Sequence, residues 1–583
     1  MRHLNPIVAV VALLAAVACS SDSVTDNRQI FGLKLELTPS VDTLFLGGPA
    51  SAATTTLSAT ATAQGGRITL PGHVFETGDA SIVDVTTVNP TDTSAVVTAL
   101  ALGTTTVAVR VNDTRATATI VVLPYVKSVT VTSAVTQALV GDTIALTAKV
   151  FSFAGDVIAG EPVTFSSSSP SATVTADGKV VFSAPGTATI TAKSGAATAT
   201  VSLTALAREF IGGGSNALSS GMDATCGLAP LGRAFCFGKA PVTGIARDTS
   251  CFDLLGTVGD PQSCTLVPLP IAGELQLTAL AVGDSVACGL TAAGQAYCWG
   301  DQTYGQVGNG ISKPGTSSLP VRVTGPLTAA AVFTQIAAGS THACGIIAGG
   351  AAFCWGRDTL FQLGGGDNLV ANSTTPIPAG PGNSFKAITA GHGHTCGLRT
   401  DGVALCWGDN RHGQLGRGAV GGPSDIATAV GGPAFTQISA SGDNTCGLTS
   451  AGTIYCWGAN RSGQTGQAAT DSIPTPAPIA GAGYTYVAVG RDHACALTPG
   501  GASCWGSNAF GQLGSGLPAG GFSPTPSAVS GTRTFTSLSS GTRTSCAVAS
   551  DGAYCWGSSM YGATGNQIQA LAVTSPQKTA PPQ

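Results

Sequence analysis

Cysteine is the residue type whose number and spacing in this chain most directly predict chemistry. The 583 residues include 17 cysteines, a usage that is rare where thiols are kept reduced and common in exported proteins. Fourteen of the cysteines form seven pairs whose members are nine or ten residues apart. Oxidation of each pair to a disulfide within one short hairpin is the chemistry that this spacing predicts.

The loop between the paired cysteines supports this prediction. If Cys396 faces Cys406, then Leu398 faces Ala404 and Thr400-Asp401-Gly402 forms the loop, with glycine at the left-handed last position. Facing residues of antiparallel strands are close enough for a disulfide. The last two pairs are one residue closer and have two-residue loops, which preserves the register. The predicted hairpin disulfides are Cys226–Cys236, Cys288–Cys298, Cys344–Cys354, Cys396–Cys406, Cys446–Cys456, Cys495–Cys504 and Cys546–Cys555.

Two further cysteines, Cys251 and Cys264, lie in an insertion within the first repeat unit. With Cys19 set aside, they are the two that remain after the hairpins are paired, and we predict an eighth disulfide that pins this long loop. A zinc site is not predicted, because the chain has no C-x-x-C pair and its cysteines have hairpin spacing. We predict no metal and no cofactor.

The elements that position the cysteines repeat about every fifty residues. The second cysteine of each pair is followed by Trp-Gly in six units and by Phe237-Gly238 in the first. Successive strand residues point to opposite faces, so one face of each hairpin carries the disulfide and the other a large ring. A strand rich in small residues precedes each hairpin, and a turn such as His412-Gly413-Gln414-Leu415-Gly416 follows it. This unit suits a four-stranded propeller blade.

The motif G-x-x-H-x-C-G-L, followed by D-G-x-x-x-C-W-G-x-N-x-x-G-Q-L-G, resembles the repeat of the regulator of chromosome condensation family. The resemblance covers residues 206–583 and implies a seven-bladed β-propeller. The cysteines depart from the family pattern and suit secretion. The family's best-known member is a nuclear exchange factor for a small GTPase. Export, the disulfides and the lack of a basic chromatin-binding tail argue against that activity here.

Residues 32–123 and 124–205 contain two copies of a pattern of short alternating strands. Gly103–Val109 corresponds to Gly186–Ala192, and both copies close on an A-T-A-T strand. These segments resemble bacterial immunoglobulin-like domains of group 2. The predicted fold class is therefore all-β, with two Ig-like sandwiches followed by the propeller. We interpret the sandwiches as a stalk, and binding of a glycan or host surface is the alternative.

The first residues predict export. Residues 1–18 have a short basic start and an apolar stretch, as in a signal peptide. With Cys19 next, the stretch resembles a bacterial lipobox, although Ala16 stands where leucine is commoner. Lipidation of Cys19 would anchor the chain at the outer membrane or cell surface, with residues 19–31 as a tether. Cleavage by ordinary signal peptidase, which would give a soluble secreted protein, is the alternative.

The sequence contains no recognisable catalytic set, and we predict no catalytic residue. Three histidines, His342, His394 and His493, share one repeat position, which favours structural hydrogen bonding over a metal site. The G-x-S-x-G, phosphate-loop and H-E-x-x-H motifs do not occur. The net charge of −4 argues against a nucleic-acid partner.

One position of the turn, which His412 occupies in blade 4, holds a different type of residue in most blades. These residues are candidates for a partner-binding ring, and packing against the adjacent blade is the alternative. Our leading hypothesis is a non-enzymatic surface lipoprotein whose propeller binds a protein or glycan. One alternative is a polysaccharide-acting enzyme at the channel mouth, which requires acidic or histidine residues clustered on one face. Another is an enzyme inhibitor similar to β-lactamase inhibitory protein II. The variable positions are Tyr304, Leu360, His412, Ser462, Phe510 and Tyr561.

Overall fold

A computed structural model describes residues 33–583, apart from 65, 71, 88, 90–91, 211–217, 240–248, 252–261, 274, 326–331 and 367–370. The predicted signal peptide, Cys19 and the tether lie outside the described residues. The chain forms two compact units that divide between Leu206 and Ala207, next to the predicted start of the propeller. The regular structure is almost entirely β-strand, with one four-residue α-helix described, α1 (Ala50–Ala53).

The first sandwich in the amino-terminal unit packs two sheets around one apolar core. Its strands are β1 (Lys34–Thr38), β2 (Val41–Leu46), β3 (Thr54–Ala63), β4 (Gly66–Ile68), β5 (Val74–Thr77), β6 (Val83–Thr86), β7 (Ser94–Ala99), β8 (Gly103–Val111) and β9 (Thr114–Pro124). One sheet has the order β1-β3-β7-β6 with β4 beside β3, and the other has the order β2-β9-β8-β5. Leu57 of β3 and Ile120 of β9 bring the two sheets together in this core.

The second sandwich has the same strand arrangement as the first. Its strands are β10 (Val126–Ser133), β11 (Gln137–Leu139), β12 (Thr143–Ser152), β13 (Thr164–Ser167), β14 (Ala172–Val174), β15 (Lys179–Phe182), β16 (Gly186–Ser194) and β17 (Ala197–Leu206). The sheet orders are β10-β12-β15-β14 and β11-β17-β16-β13. Val180, Ile190 and Leu203 are fully buried in its core. The repeated sequence pattern therefore corresponds to a repeated topology, while the Ig-like assignment stays a prediction.

The carboxy-terminal unit consists of seven antiparallel sheets, which are the blades. In blades 2 to 7 the four strands follow one another in sequence from the first to the outer strand. Blade 1 has five strands, in the order β18-β19-β20-β22-β21, because its insertion adds an outer strand. The strands of blades 1 to 3 are β18 (Leu218–Ser220), β19 (Ala224–Leu228), β20 (Ala234–Lys239), β21 (Thr249–Cys251), β22 (Gln262–Pro270), β23 (Leu277–Val282), β24 (Val286–Thr291), β25 (Ala296–Asp301), β26 (Thr316–Arg322), β27 (Phe333–Ala338), β28 (His342–Ile347), β29 (Ala352–Arg357) and β30 (Asn372–Ala379).

Blades 4 to 7 have the same four-stranded plan. The first strands of all seven blades surround a central channel. The strands of these four blades are β31 (Phe385–Ala390), β32 (His394–Arg399), β33 (Ala404–Gly408), β34 (Ser424–Ala429), β35 (Gln437–Ser441), β36 (Asn444–Leu448), β37 (Ile454–Ala459), β38 (Ser472–Pro478), β39 (Tyr486–Val489), β40 (His493–Thr498), β41 (Gly501–Ser507), β42 (Phe522–Ala528), β43 (Phe535–Ser540), β44 (Thr544–Ala549), β45 (Gly552–Gly557) and β46 (Val573–Lys578).

Blade 7 contacts blade 1, which closes the ring. The backbone N–H of Ser220 donates to Oγ of Ser539 at 2.8 Å, and the N–H of Thr542 donates to the carbonyl of Gly221 at 3.0 Å. The propeller therefore packs every blade against two neighbours and leaves only short strand edges.

The disulfides lie on the second and third strands of the blades, as the hairpin register predicts. Cys396 faces Cys406 and Leu398 faces Ala404. Seven disulfides join the predicted hairpin pairs, with Cα–Cα distances of 4.0–4.1 Å. Cys264 is also disulfide-bonded, but the side chain of Cys251 lies outside the described part of the chain, and their pairing stays a prediction.

In five blades the tryptophan after the second cysteine forms a hydrogen bond to the blade before it. Trp355, for example, is fully buried, and its Nε1–H donates to the carbonyl of Gln306 in blade 2 at 3.0 Å. Four other tryptophans make the same bond to the preceding blade. They are Trp407, Trp457, Trp505 and Trp556. The tryptophan ring that repeats from blade to blade is therefore a buried scaffold element, and a partner cannot reach it.

Candidate functional site

Two sets of loops lie on one face of the propeller. In blade 4, His394 at the start of β32 pairs with Gly408 at the end of β33. This register places the loop before His394 beside the glycine-rich turn after Gly408. The same register occurs in the other six blades. We call the surface formed by these loops and turns the turn face.

In five blades a shared glutamine holds the backbone of the variable residue in the turn. The side-chain Oε1 of Gln306 accepts the backbone N–H of Tyr304 at 2.8 Å. The same bond, at the same distance, is made in four more blades by Gln362, Gln414, Gln464 and Gln512. Because the backbone is held in this way, the side chain at the variable position can differ without changing the turn.

The variable side chains pack against the next blade and remain partly exposed. The guanidinium carbon of Arg357 lies 4.9 Å from the ring centre of Tyr304, and that of Arg543 lies 5.0 Å from the ring centre of Phe510. Nζ of Lys239 lies 4.9 Å from the ring of Tyr561. All six positions, Leu360, His412 and Ser462 included, are intermediate in exposure. These three aromatic rings therefore contact the next blade and also keep surface that a partner can reach.

Asp443 of blade 5 lies between two histidines of blade 4 on the turn face. Its carboxylate oxygens lie 3.8 Å from Nδ1 of His392 and 3.9 Å from Nε2 of His412. The Asp443 carboxylate raises the pKa of His392. Burial opposes ionisation of Asp443, but His392 and its neighbours hold the pKa of the Asp443 carboxyl below its usual value. A histidine–carboxylate arrangement of this kind can hold or move a proton.

Further charged residues lie in the loops of the turn face and were not singled out from the sequence. Burial raises the pKa of Asp223 and of Asp492. Like Asp443, each stands immediately before the repeated histidine or its equivalent. Oγ1 of Thr542 donates to Asp284 at 3.3 Å across the channel mouth. The recurrence of aspartate at one repeat position is the signal that could have identified this cluster.

The three repeated histidines bridge neighbouring blades. Nε2 of His342 lies 2.9 Å from Oγ1 of Thr395, and Nε2 of His493 lies 2.8 Å from Oγ of Ser545. Burial lowers the pKa of both histidines to about 3. The predicted structural hydrogen bonding is present at these positions.

Within the described ranges, no group of three or more His, Cys, Asp or Glu side chains could hold a metal ion. Among the same residues, no helix is long and apolar enough to cross a membrane. The turn face thus carries histidine and aspartate side chains that can hold a proton, partly exposed aromatic rings, and charged groups of both signs.

The fold and motifs define a class of propeller, and comparison with known proteins identifies the family. Residues 250–582, more than half of the chain, match the RCC1-like domain, and the chain belongs to this family. The resemblance predicted from the hairpin motif is confirmed for the propeller.

Two solved structures share this fold. Human WBSCR16 superposes with a TM-score of 0.52 at 18% identity, covering 60% of this chain and 94% of that one. Yeast RCC1 (Prp20), solved with Kap60 bound to it, superposes with a TM-score of 0.51 at 20% identity, covering 62% and 85%. At these identities the likeness shows the fold alone.

Curated relatives are similar over shorter stretches. The human probable E3 ubiquitin-protein ligase HERC6 is 29% identical over 34% of this chain and 19% of its own length. The mitochondrial RCC1 domain-containing protein RUG3 of Arabidopsis thaliana is 27% identical over 25% of this chain and 34% of its own length. The chain thus aligns with about a third or less of these relatives.

Proposed function

We propose that the propeller binds a protein partner through its turn face. The observation that carries this proposal is that the turns share the residues that support the backbone and differ in the side chain that they expose. Five of the six turns share the supporting glutamine and five share the glycine, whereas the partly exposed residue that they hold is Tyr304, His412 or Phe510 in different blades. Aromatic side chains anchored in this way are the residues that dominate protein interfaces. The yeast relative solved with Kap60 supports a protein as the partner class.

Exposed aliphatic residues surround the variable positions. In four blades the loop that follows the turn carries one of them, and we call this set the apolar rim. Exposed apolar side chains beside the aromatic anchors would add apolar contact area to an interface. Its members and their exposed fractions are Ile311 (44%), Val420 (52%), Leu517 (66%) and Ile568 (50%).

Site-specific photocrosslinking of the full chain tests the proposal. A photoreactive residue at Phe510 should crosslink to a partner from envelope or extracellular fractions. The same residue at Asp401, in a hairpin loop at the opposite end of the blade, is the matched control. We expect one discrete adduct from Phe510 and none from Asp401. Equal adducts from both positions, or none from either, would refute binding through the turn face.

We also propose that the chain is exported and anchored by lipid on Cys19, with the two sandwiches as an Ig-like stalk. The apolar stretch that ends at Ala18 and the cysteine chemistry support this address. A Cys19→Ser variant should move from the membrane fraction to the soluble fraction. An unchanged membrane fraction would exclude the anchor while leaving turn-face binding open.

A second candidate function is cleavage of a polysaccharide at the turn face. It is favoured by the cluster in which the pKa of the Asp492 carboxyl is raised while that of Asp443 is lowered. Carboxyls with opposite shifts are what acid–base catalysis at a glycosidic bond requires. Release of reducing ends from a polysaccharide panel would be the readout. Activity that Asp443→Asn abolishes and Asp401→Asn does not would favour this function over simple binding.

A further inference from the structure

The first strands of all seven blades enclose a cavity of about 530 Å³ along the propeller axis. This volume lies within the range of pockets that hold small molecules, roughly 300–1,000 Å³. The wall consists mainly of small side chains and strand backbone. Asp284 and His392, which belong to loops of the turn face, are the titratable lining residues besides Tyr486.

Four hydroxyl groups at one repeat position line this cavity. Each accepts the backbone N–H of the first strand in the next blade, at nitrogen–oxygen distances of 2.8–3.1 Å. In the part of the chain that the structure describes, no protein group accepts a hydrogen bond from these hydroxyls. Each therefore keeps an O–H donor for the cavity. The four residues are Ser219, Thr389, Ser439 and Ser539.

Two more hydroxyl groups of the wall have no protein partner among the described residues. Ser540 is 7% exposed, and its Oγ makes no hydrogen bond. The hydroxyl of Tyr486 also has none, and burial raises the pKa of Tyr486 to about 12, so that it stays a donor. A buried hydroxyl without a partner costs about 1–3 kcal/mol. Oγ of Ser540 is enclosed by the wall, so a ligand that bonds the Tyr486 hydroxyl would recover part of that free energy.

We propose that the central channel is a binding site for a neutral polyhydroxylated molecule, a mono- or disaccharide. Its hydroxyl groups can accept from the wall donors and donate to the remaining lone pairs. An ion suits the channel wall poorly, because a buried charge needs a partner. Asp284 and His392 lie in the loops at the turn face, and the strand residues that line the wall include no charged side chain. The site lies in the channel and does not depend on a protein bound to the turn face.

Saccharide binding to the full chain can be measured directly. The probes are glucose, galactose, N-acetylglucosamine, maltose and lactose, tested by saturation-transfer NMR and then by calorimetric titration. We expect at least one to bind with a dissociation constant below about 1 mM, near −4 kcal/mol. Failure of all five to bind would overturn the proposal.

Variants that remove single hydroxyls locate the binding site. Tyr486→Phe and Ser439→Ala remove one channel hydroxyl each, and each should weaken binding at least tenfold. Tyr297→Phe is the matched control, because its hydroxyl contacts Gln295 at 3.5 Å and it does not line the channel. Circular dichroism would verify that each variant folds. Binding that is unchanged in both channel variants, or weakened equally by Tyr297→Phe, would place the saccharide elsewhere and overturn the proposal.

Discussion

Nε2 of His394 in blade 4 lies 2.9 Å from Oγ1 of Thr445 in blade 5. Thr445 donates its own proton to the carbonyl of Gln414 at 3.4 Å, so its oxygen accepts from the histidine N–H. Both residues are fully buried, and burial lowers the pKa of His394 to about 4. A residue that forms part of the repeat motif thus joins two blades in its neutral form, because burial disfavours the charged ring.

Acid should destabilise the propeller through its three buried histidines. Their folded pKa values of about 3 to 4 lie below the ordinary 6.5, so the unfolded chain binds more protons between these limits. Stability is therefore complete above pH 6.5 and falls as the pH drops toward 3. Each histidine should cost about 2 kcal/mol between pH 8 and pH 5. Urea unfolding at the two pH values measures the difference.

A His394→Asn variant is the matched control for the acid effect. Blade 5 already has Asn444 at this position, where Nδ2 donates to the carbonyl of Arg491. Between pH 8 and pH 5, the unfolding free energy of the variant should fall by less than that of the original chain, and the difference should equal the contribution of one histidine. A pH dependence equal to that of the original chain would show that His394 is not the titrating group.

The ion pair at Asp443 should be visible in the titration of His392. Because the Asp443 carboxylate raises the pKa of His392, His392 should remain protonated to a higher pH than an isolated histidine. The contact between protonated His392 and the Asp443 carboxylate thus stabilises the fold fully below the ordinary histidine pKa. It is lost as the pH rises through the raised pKa of His392. Proton NMR of the His392 ring measures it. Asp443→Asn should bring the His392 pKa down, and an unchanged value would disprove the pairing.

The glycine after each tryptophan should tolerate no side chain. Gly408 has φ of +99°, and a Cβ there would lie 2.5 Å from the carbonyl oxygen of Gly393. Gly408→Ala should therefore cost at least about 2 kcal/mol through strain and displacement of the neighbouring strand. Gly421→Ala is the control, since its Cβ would meet no atom within 4 Å. Equal denaturation midpoints for the two variants would contradict this account.

The hydroxyl of Thr389, in the channel wall, should stabilise the fold by accepting a backbone N–H from the first strand of the next blade. Oγ1 of Thr389 accepts the N–H of Ala440 in the next blade at 2.9 Å. Thr389→Val keeps the shape but leaves this donor without its acceptor, and it should cost about 1 kcal/mol. Thr428→Val, which removes an exposed hydroxyl of the outer strand, should change the unfolding free energy by less than about 0.5 kcal/mol. Thermal unfolding of the two variants compares the costs.

The hairpin disulfides should resist reduction until the propeller unfolds. All fourteen cysteines of these pairs have 0% exposure, so a thiolate reagent cannot reach their sulfur atoms in the folded chain. Dithiothreitol at neutral pH should leave seven disulfides intact, and the same reagent in guanidinium should reduce them. Mass spectrometry after alkylation counts the free thiols. Rapid alkylation without denaturant would contradict the buried arrangement.

The sequence by itself determined the blade, because the features of a blade are local. Cysteine spacing sets the hairpin register between Cys396 and Cys406, and Gly402 sets the loop, with both partners within about ten residues of each other. The family followed from the same repeat. The identity of the partner does not follow from these scaffold positions, because they are the ones that every blade shares.

Only the tertiary structure decided what happens between blades. The contacts of Asp443 with His392 and His412 join residues 51 and 31 positions apart in sequence, and a repeat pattern does not specify how closely two blades approach. The same holds for Tyr304 beside Arg357 and for the hydroxyls that meet in the channel. These groups converge because ring closure fixes the distance between blades, and that distance depends on the buried rings and glycines of all seven together.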